Sequence, residues 1–202
     1  MAILSLLVLA SAAMSLPTLG KAITPDDYPE WALKEETSAM AEVNALIAPD
    51  GHVVRVEVLR VLGNERLAAE LVNVVKARKH MPPTGPDGAP AFGLVHGPVS
   101  IFIPETALGQ SILAQRQFKA DFLLPAKRLP DGQAEDDIKL LLAVDKDGRV
   151  TDCVRDPKEI DVDLAKTACE AKASMRRPVV NGEDGTPLAY VTGVKVKMIL
   201  TK

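Results

Sequence analysis

Few side chains in this sequence are of a type and spacing that could do chemistry. The two cysteines, Cys153 and Cys169, are not spaced as C-x-x-C and have no histidine near them in sequence, which indicates neither a redox dithiol nor a zinc site. Two readings remain for the pair: buried thiols acting as small hydrophobes in a reducing compartment, or a disulfide in an oxidising one. The three histidines, His52, His80 and His96, fall at a turn, a helix end and a strand start. They lack the intervals of a metal site and read as solvated surface groups. His80 follows Arg78 and Lys79 at a helix C-terminus, where positive charge complements the helix dipole, and Arg176 and Arg177 hold the corresponding place later. Asp161 and Asp163 precede a helix and read as a cap and a first-turn charge, not as an acid/base pair. There is no G-x-S-x-G, phosphate loop or Cys/His constellation. The sequence therefore offers no catalytic residue, metal ligand, cofactor site or small-molecule substrate, and the chain reads as a non-enzyme.

What must position these residues is a unit that occurs twice. Gly148, Leu164, Ala165, Gly182, Asp184, Gly185 and Pro187 each stand 97 positions after an identical residue, at Gly51, Leu67, Ala68, Gly85, Asp87, Gly88 and Pro90, with no gap needed. The matches include Asp147-Gly148 opposite Asp50-Gly51, and G-E-D-G-T-P at Gly182 to Pro187 opposite G-P-D-G-A-P at Gly85 to Pro90. Punctuation of this kind sets turns, so its repetition at constant spacing implies two copies of one supersecondary unit.

Within the unit the hydrophobic period changes in order. Ile138, Leu140, Leu142 and Val144 alternate up to the Asp-Gly turn and Val150 to Val154 resumes, a hairpin signal. Leu164, Ala165, Ala168, Cys169, Lys172 and Met175 then share a stripe at helical spacing, as do Leu67, Ala68, Leu71, Val72 and Val75. A last alternating run closes each copy, through Val194, Val196, Met198 and Leu200 or through Val99, Ile101 and Ile103. The unit is strand, strand, helix, strand, and the helix stripe must cover a three-stranded antiparallel sheet. The expected class is α+β, in two tandem lobes. Cys153 and Cys169 take the places of Val56 and Val72, one on the second strand and one on the helix, so their side chains should meet in the lobe core.

Export decides between the two cysteine readings. Residues 1–20 carry no charged side chain, Ile3 to Ala13 is a short apolar core, and Gly20-Lys21-Ala22 fits a secretory cleavage site after Ala22. Its strongly apolar part is nearer 11 residues than the roughly 20 that spanning requires, so a leader is favoured over a retained anchor. In an oxidising compartment the disulfide is the expected state. Loss of residues 1–22 removes one of 24 basic residues, leaving 23 against 27 acidic ones and a formal charge of −4, which gives no support to nucleic-acid binding.

The first copy runs through a hairpin at Ala41 to Ala48 and His52 to Val61, a helix at Glu65 to Lys79 and a closing strand at Leu94 to Ile103. Ahead of it lies a lead-in at Asp26 to Glu36, in which Asp27 reads as an N-cap and Trp31 and Leu33 dock on the lobe. Pro98 argues for an edge position of the closing strand. Glu105 to Arg116 has Leu108, Ile112 and Leu113 at helical spacing, and Phe118 to Leu124 reads as a lead-in to the second copy. The expected boundaries are a signal peptide at 1–22, a first domain at 23–104, a helical connector at 105–118 and a second domain at 119–202.

Tyr28-Pro29 before a short helix, Pro49-Asp50-Gly51 between two strands, a helix, G-x-D-G-x-P and a final strand together resemble the C-terminal domain of the TonB energy-transducer family. The second copy has D-K-D-G-R-V at Asp145 to Val150, then Asp152-Cys153 and Leu164-Ala165 before Cys169. It resembles the variant of that domain with paired cysteines. The resemblance implies a periplasmic, Gram-negative protein that binds an extended peptide of an outer-membrane TonB-dependent receptor. It places that peptide beside the closing strand, along Val194, Lys195, Val196, Lys197, Met198 and Ile199 in the second copy. Strand addition asks only for an exposed backbone edge. Lys195 and Lys197 would there either attract an acidic partner or blunt the edge against aggregation. Energy transducers have a membrane-spanning helix and a long proline-rich spacer, whereas only five residues separate Ala22 from Tyr28, so coupling to a motor is not expected. Were the leader retained, the protein would be anchored in the inner membrane facing the periplasm. The alternative function is a structural or self-associating periplasmic protein without a receptor.

Overall fold

The computed structural model describes residues 14–115 and 119–201. After a 3-10 turn at Leu19–Ala22 and a second at Pro25–Asp27 come α1 (Glu30–Lys34), β1 (Ala39–Ile47), β2 (Val53–Gly63), α2 (Glu65–Ala77) and β3 (Phe92–Ile101). Then follow α3 (Ala107–Gln115), β4 (Phe122–Ala126), β5 (Glu135–Val144), β6 (Val150–Arg155), α4 (Val162–Glu170), the two-residue strands β7 (Val180–Asn181) and β8 (Pro187–Leu188), and β9 (Tyr190–Leu200). The expected strand, strand, helix, strand order is found in each half.

The turns recur with the sequence. Ala48 N–H donates to His52 O at 2.9 Å, and Asp145 N–H donates to Arg149 O at 2.9 Å. His80 N–H bonds Gly51 O at 2.8 Å as Arg177 N–H bonds Gly148 O at 3.0 Å. Gly51 and Gly148 have φ of 90° and 78°, and a Cβ on either would meet the His80 or Arg177 carbonyl oxygen at 2.1 or 2.4 Å. Both the left-handed backbone and the close approach demand glycine. The helices begin alike, with Asn64 accepting from Leu67 N–H at 3.0 Å and Asp161 accepting from Leu164 N–H at 2.8 Å. Each hairpin also carries a bulge at its start, where Val54 and Thr151 are the extra residues.

Two separate lobes are not what forms. The strand order is β2-β1-β3-β9-β5-β6, with β4 also paired to β9, so both halves share one mixed sheet. β1 and β3 are antiparallel from Ala39↔Ile101 to Ile47↔Gly93, and β5 and β9 from Glu135↔Ile199 to Val144↔Tyr190. The halves are joined at a parallel seam of three residue pairs, Phe92↔Tyr190, Gly93↔Val191 and Leu94↔Thr192. The reason is the closing strand itself. Its unpaired donors and acceptors would be left without partners in an isolated lobe, and the nearest complement is the other half's closing strand.

Side-chain alternation puts the helices on opposite faces. Ala45, Ile47 and Val95 pack with Leu67, Leu71 and Val75 of α2, whereas their neighbours Leu46, Phe92 and Leu94 pack with Leu164, Ala165 and Ala168 of α4. Cys153 and Cys169 form a disulfide, Cα to Cα 5.5 Å, tying β6 to α4 in the second of these cores.

Candidate functional site

The strand expected to be an open edge is not one. β9 has β5 along its whole length on one side, and on the other it has β3 at Tyr190–Thr192 and β4 in parallel from Phe122↔Val196 to Ala126↔Leu200. Val194 to Ile199 thus lie inside the sheet, and Val194, Val196 and Met198 are buried. Phe118 to Leu124, read as a lead-in, supplies part of β4 instead. Its hydrophobicity serves strand pairing and the core, where Phe122 and Leu124 pack. Lys195 and Lys197 are paired along the sheet, to Asp137 and to Glu135, with 2.8 Å for the latter. The Glu135 carboxylate raises the Lys197 pKa by its hydrogen bond and charge.

Between β3 and β4 the backbone of β9 is held by one aspartate. Asp121 N–H donates to Lys195 O at 2.7 Å, and its carboxylate accepts from Lys195 N–H at 2.9 Å and from the Arg177 guanidinium at 2.8 Å. Asp121 takes the place of a strand residue there. Beside it β3 and β9 diverge. From Gly97 onward β3 has a strand partner only on its β1 side among the described residues. Pro98, expected at an edge, stands in this part of the strand, where its missing N–H breaks no rung of the β1 ladder.

The divergence opens a cleft of about 950 Å3, lined by Gly97 and Pro98 of β3, Gly193 of β9 and Lys139, Leu140 and Leu141 of β5. Its charged rim is mixed, with Asp121, Asp137 and Asp156 against Lys139, Lys158 and Lys195. Gly97 has open space where a Cβ would be, with nothing within 4 Å. These glycines were missed as site residues. The sequence signal was present, since Gly93, Gly97 and Gly193 interrupt alternating strands, and a strand glycine marks a close approach of ligand or backbone.

The fourth wall of the cleft is Ser15 to Leu19. The leader expected at 1–22 falls largely outside the described residues, but its end lies against the sheet. Met14 is buried beside Leu141, Ala143 and Val191, Leu16 packs there too, and Leu19 is buried in the first-half core with Ala32 and Val95. Arg78 donates to the Ala22 carbonyl and pairs with Asp27 at 2.7 Å. Partial burial works against ionised Asp27, but the Thr24 N–H and hydroxyl and then the Arg78 charge outweigh it and hold the carboxyl below its usual value.

The histidines divide. His52 is exposed at the turn beside Asp50, whose carboxyl is lowered chiefly by the His52 N–H, and His96 bonds Glu42 Oε1 at 3.0 Å. His80, expected in solvent, is 9% exposed and its Nε2 lies 3.0 Å from the Val75 carbonyl. The chain turns back at His80 to meet Gly51, which carries the ring into the core edge. Arg177, its counterpart 97 residues on, is likewise turned inward to Asp121. No group of three or more His, Cys, Asp or Glu gathers to hold a metal among the described residues. No helix among them is long and apolar enough to cross a membrane.

Residues 24–99 match the family model of the Gram-negative bacterial TonB protein C-terminal. The match takes in α1, β1, β2, α2 and most of β3, so the cleft borders the closing strand of the matched region. No curated protein and no solved structure matches the chain.

Proposed function

We propose that this chain is a periplasmic protein-binding module of TonB C-terminal type, built from two copies of that domain. It takes an extended peptide of an envelope protein, such as an outer-membrane transport protein, in the cleft between the closing strands. The observation that carries the reading is the divergence of β3 and β9 after only three pairs, beside the strand that ends the family match. A sheet that parts at its seam presents backbone and apolar side chains together, which is what an extended peptide needs. Duplication is supported by turns, caps and bulges recurring 97 residues apart, and by the seam: parallel closing strands with helices on opposite faces are what a two-fold axis along the strands produces. The disulfide fits an oxidising compartment. No catalytic step or motor coupling is assigned.

Self-association has one observation in its favour, the exposure of Val58, Leu59 and Val61 on β2. That strand is blunted, however, by a second bulge at Leu59 and by Arg55, Glu57 and Arg60.

A photo-cross-linking residue at Gly97, which has room for it, tests the site in cells of a Gram-negative host, with the same residue at Leu59 as control. One discrete protein adduct is expected at 97 and none at 59. Equal adducts at both positions, or none at 97, would remove the cleft as the binding site.

A further inference from the structure

We infer that Met14 to Leu19 is a built-in occupant of the cleft, and that the seat it fills takes a partner's extended apolar peptide when the segment leaves. The inference rests on the cleft being a peptide site and adds the chemistry of the peptide and the device that controls access.

The segment is seated as a bound peptide would be. Its backbone makes one antiparallel rung to a loop, Ser15 N–H to Thr84 O at 3.2 Å and Thr84 N–H to Ser15 O at 3.1 Å, and the two hydroxyls lie 2.9 Å apart. Beyond this rung its hold is by side chains. Met14 enters the patch of Leu141, Ala143 and Val191, on the face of the second half-sheet opposite α4. Leu19 enters the α2 core. Leu16 lies on the seam: a Cβ at Gly93 would meet its Cδ2 at 2.9 Å, and one at Gly193 would meet its Cδ1 at 3.7 Å. Glycine on both strands makes the seat, which Leu16 shares with Pro83 over Gly93, where a Cβ would meet the proline Cγ at 2.6 Å, and with Leu141 over Gly193, at 3.9 Å.

The occupant is separable from the fold. Among the described residues, all sheet pairing but the Ser15 rung lies in residues 39–200, and the segment stands at the end of an apolar stretch read as an export leader. Cleavage after Ala22 would leave Leu141, Ala143, Val191 and Val95 facing water beside an open cleft, an apolar strip of the kind that marks an interaction site. The ligand that fits is an extended peptide with apolar side chains at the spacing of Met14, Leu16 and Leu19 and small or polar residues between. Its backbone would bond at Thr84.

The test uses the full chain, oxidised, with residues 1–22 retained, and a fluorescent peptide of the sequence of residues 11–22 as probe, read by anisotropy. Met14→Asp/Leu16→Asp should expel the native segment, so this variant should bind the probe at least about tenfold more tightly than the unsubstituted chain. Adding Gly193→Leu should abolish that binding by filling the seat. Equal affinity of the two chains, or binding that survives Gly193→Leu, would overturn the inference. A second readout does not need the double variant to fold. Gly193→Leu alone should raise the rate of tryptic cleavage after Lys21 at least about tenfold, and an unchanged rate would overturn the inference. Failure here with a discrete adduct at Gly97 removes only the occupant. Loss of the adduct removes the peptide site as well.

Discussion

The two halves of this molecule share turns and strand order but are held together differently. α2 has 13 residues and buries Leu67, Ala68, Leu71, Val72 and Val75. α4 has 9 residues, and the same five positions read Leu164, Ala165, Ala168, Cys169 and Lys172. Two large apolar side chains have become an alanine and a lysine, and a third has become half of a disulfide. The backbone plan thus survives while the means of securing the helix passes from packing to a cross-link. A short helix with few large apolar side chains is where such a cross-link counts most.

That comparison can be broken by exchange. Leu71→Ala copies into α2 the residue of the second half. Leu71 is fully buried, so the change should cost about 2–5 kcal/mol in urea unfolding. A cost under about 1 kcal/mol would mean that packing does not secure α2. Replacing Cys153 and Cys169 together with alanine should cost about 3 kcal/mol, from the loop of sequence separation 16 that the bridge closes. The caps should sharpen the likeness. Asn64→Ala and Asp161→Ala remove the same bond from the two helices and should cost about 1 kcal/mol each.

The smallest effect belongs to the first half alone, where Asp27 and Arg78 tie the lead-in to α2. The Asp27 carboxyl is lowered from 3.8 in the fold, so its contribution is present above that value and is lost as pH falls through the folded pKa. Melting temperatures of the native chain and Asp27→Asn should differ near neutrality and converge in acid below about pH 3. A difference that persists there would point to packing, not charge.

Local features were legible in the sequence and the assembly of the halves was not. The Asp-Gly turns, the G-x-D-G-x-P loops and the helix stripes depend on residues within a few positions of one another, and they are found where the pattern put them except at the end of the second stripe, where α4 stops at Glu170, Lys172 falls in a 3-10 turn and Met175 lies beyond it. The disulfide was legible because Cys153 and Cys169 stand at two core positions of a unit whose first copy has Val56 and Val72 there. The seam was not legible, because it rests on three backbone pairs between Phe92–Leu94 and Tyr190–Thr192, which carry no side-chain signature. For the same reason β4 was misread: Phe122–Ala126 pairs with Val196–Leu200 some seventy residues away, and its short apolar run fits helix or strand. Once β3 and β9 meet, the supposed edge is interior and the site moves to where they part.

Hydrogen exchange on the full chain, with and without the envelope protein that Gly97 captures, tests that relocation most directly. The account predicts slower exchange at 97–101 of β3 and at 193–195 of β9, with β2 unchanged along its outer edge. Protection of β2 with the seam unaffected would contradict it.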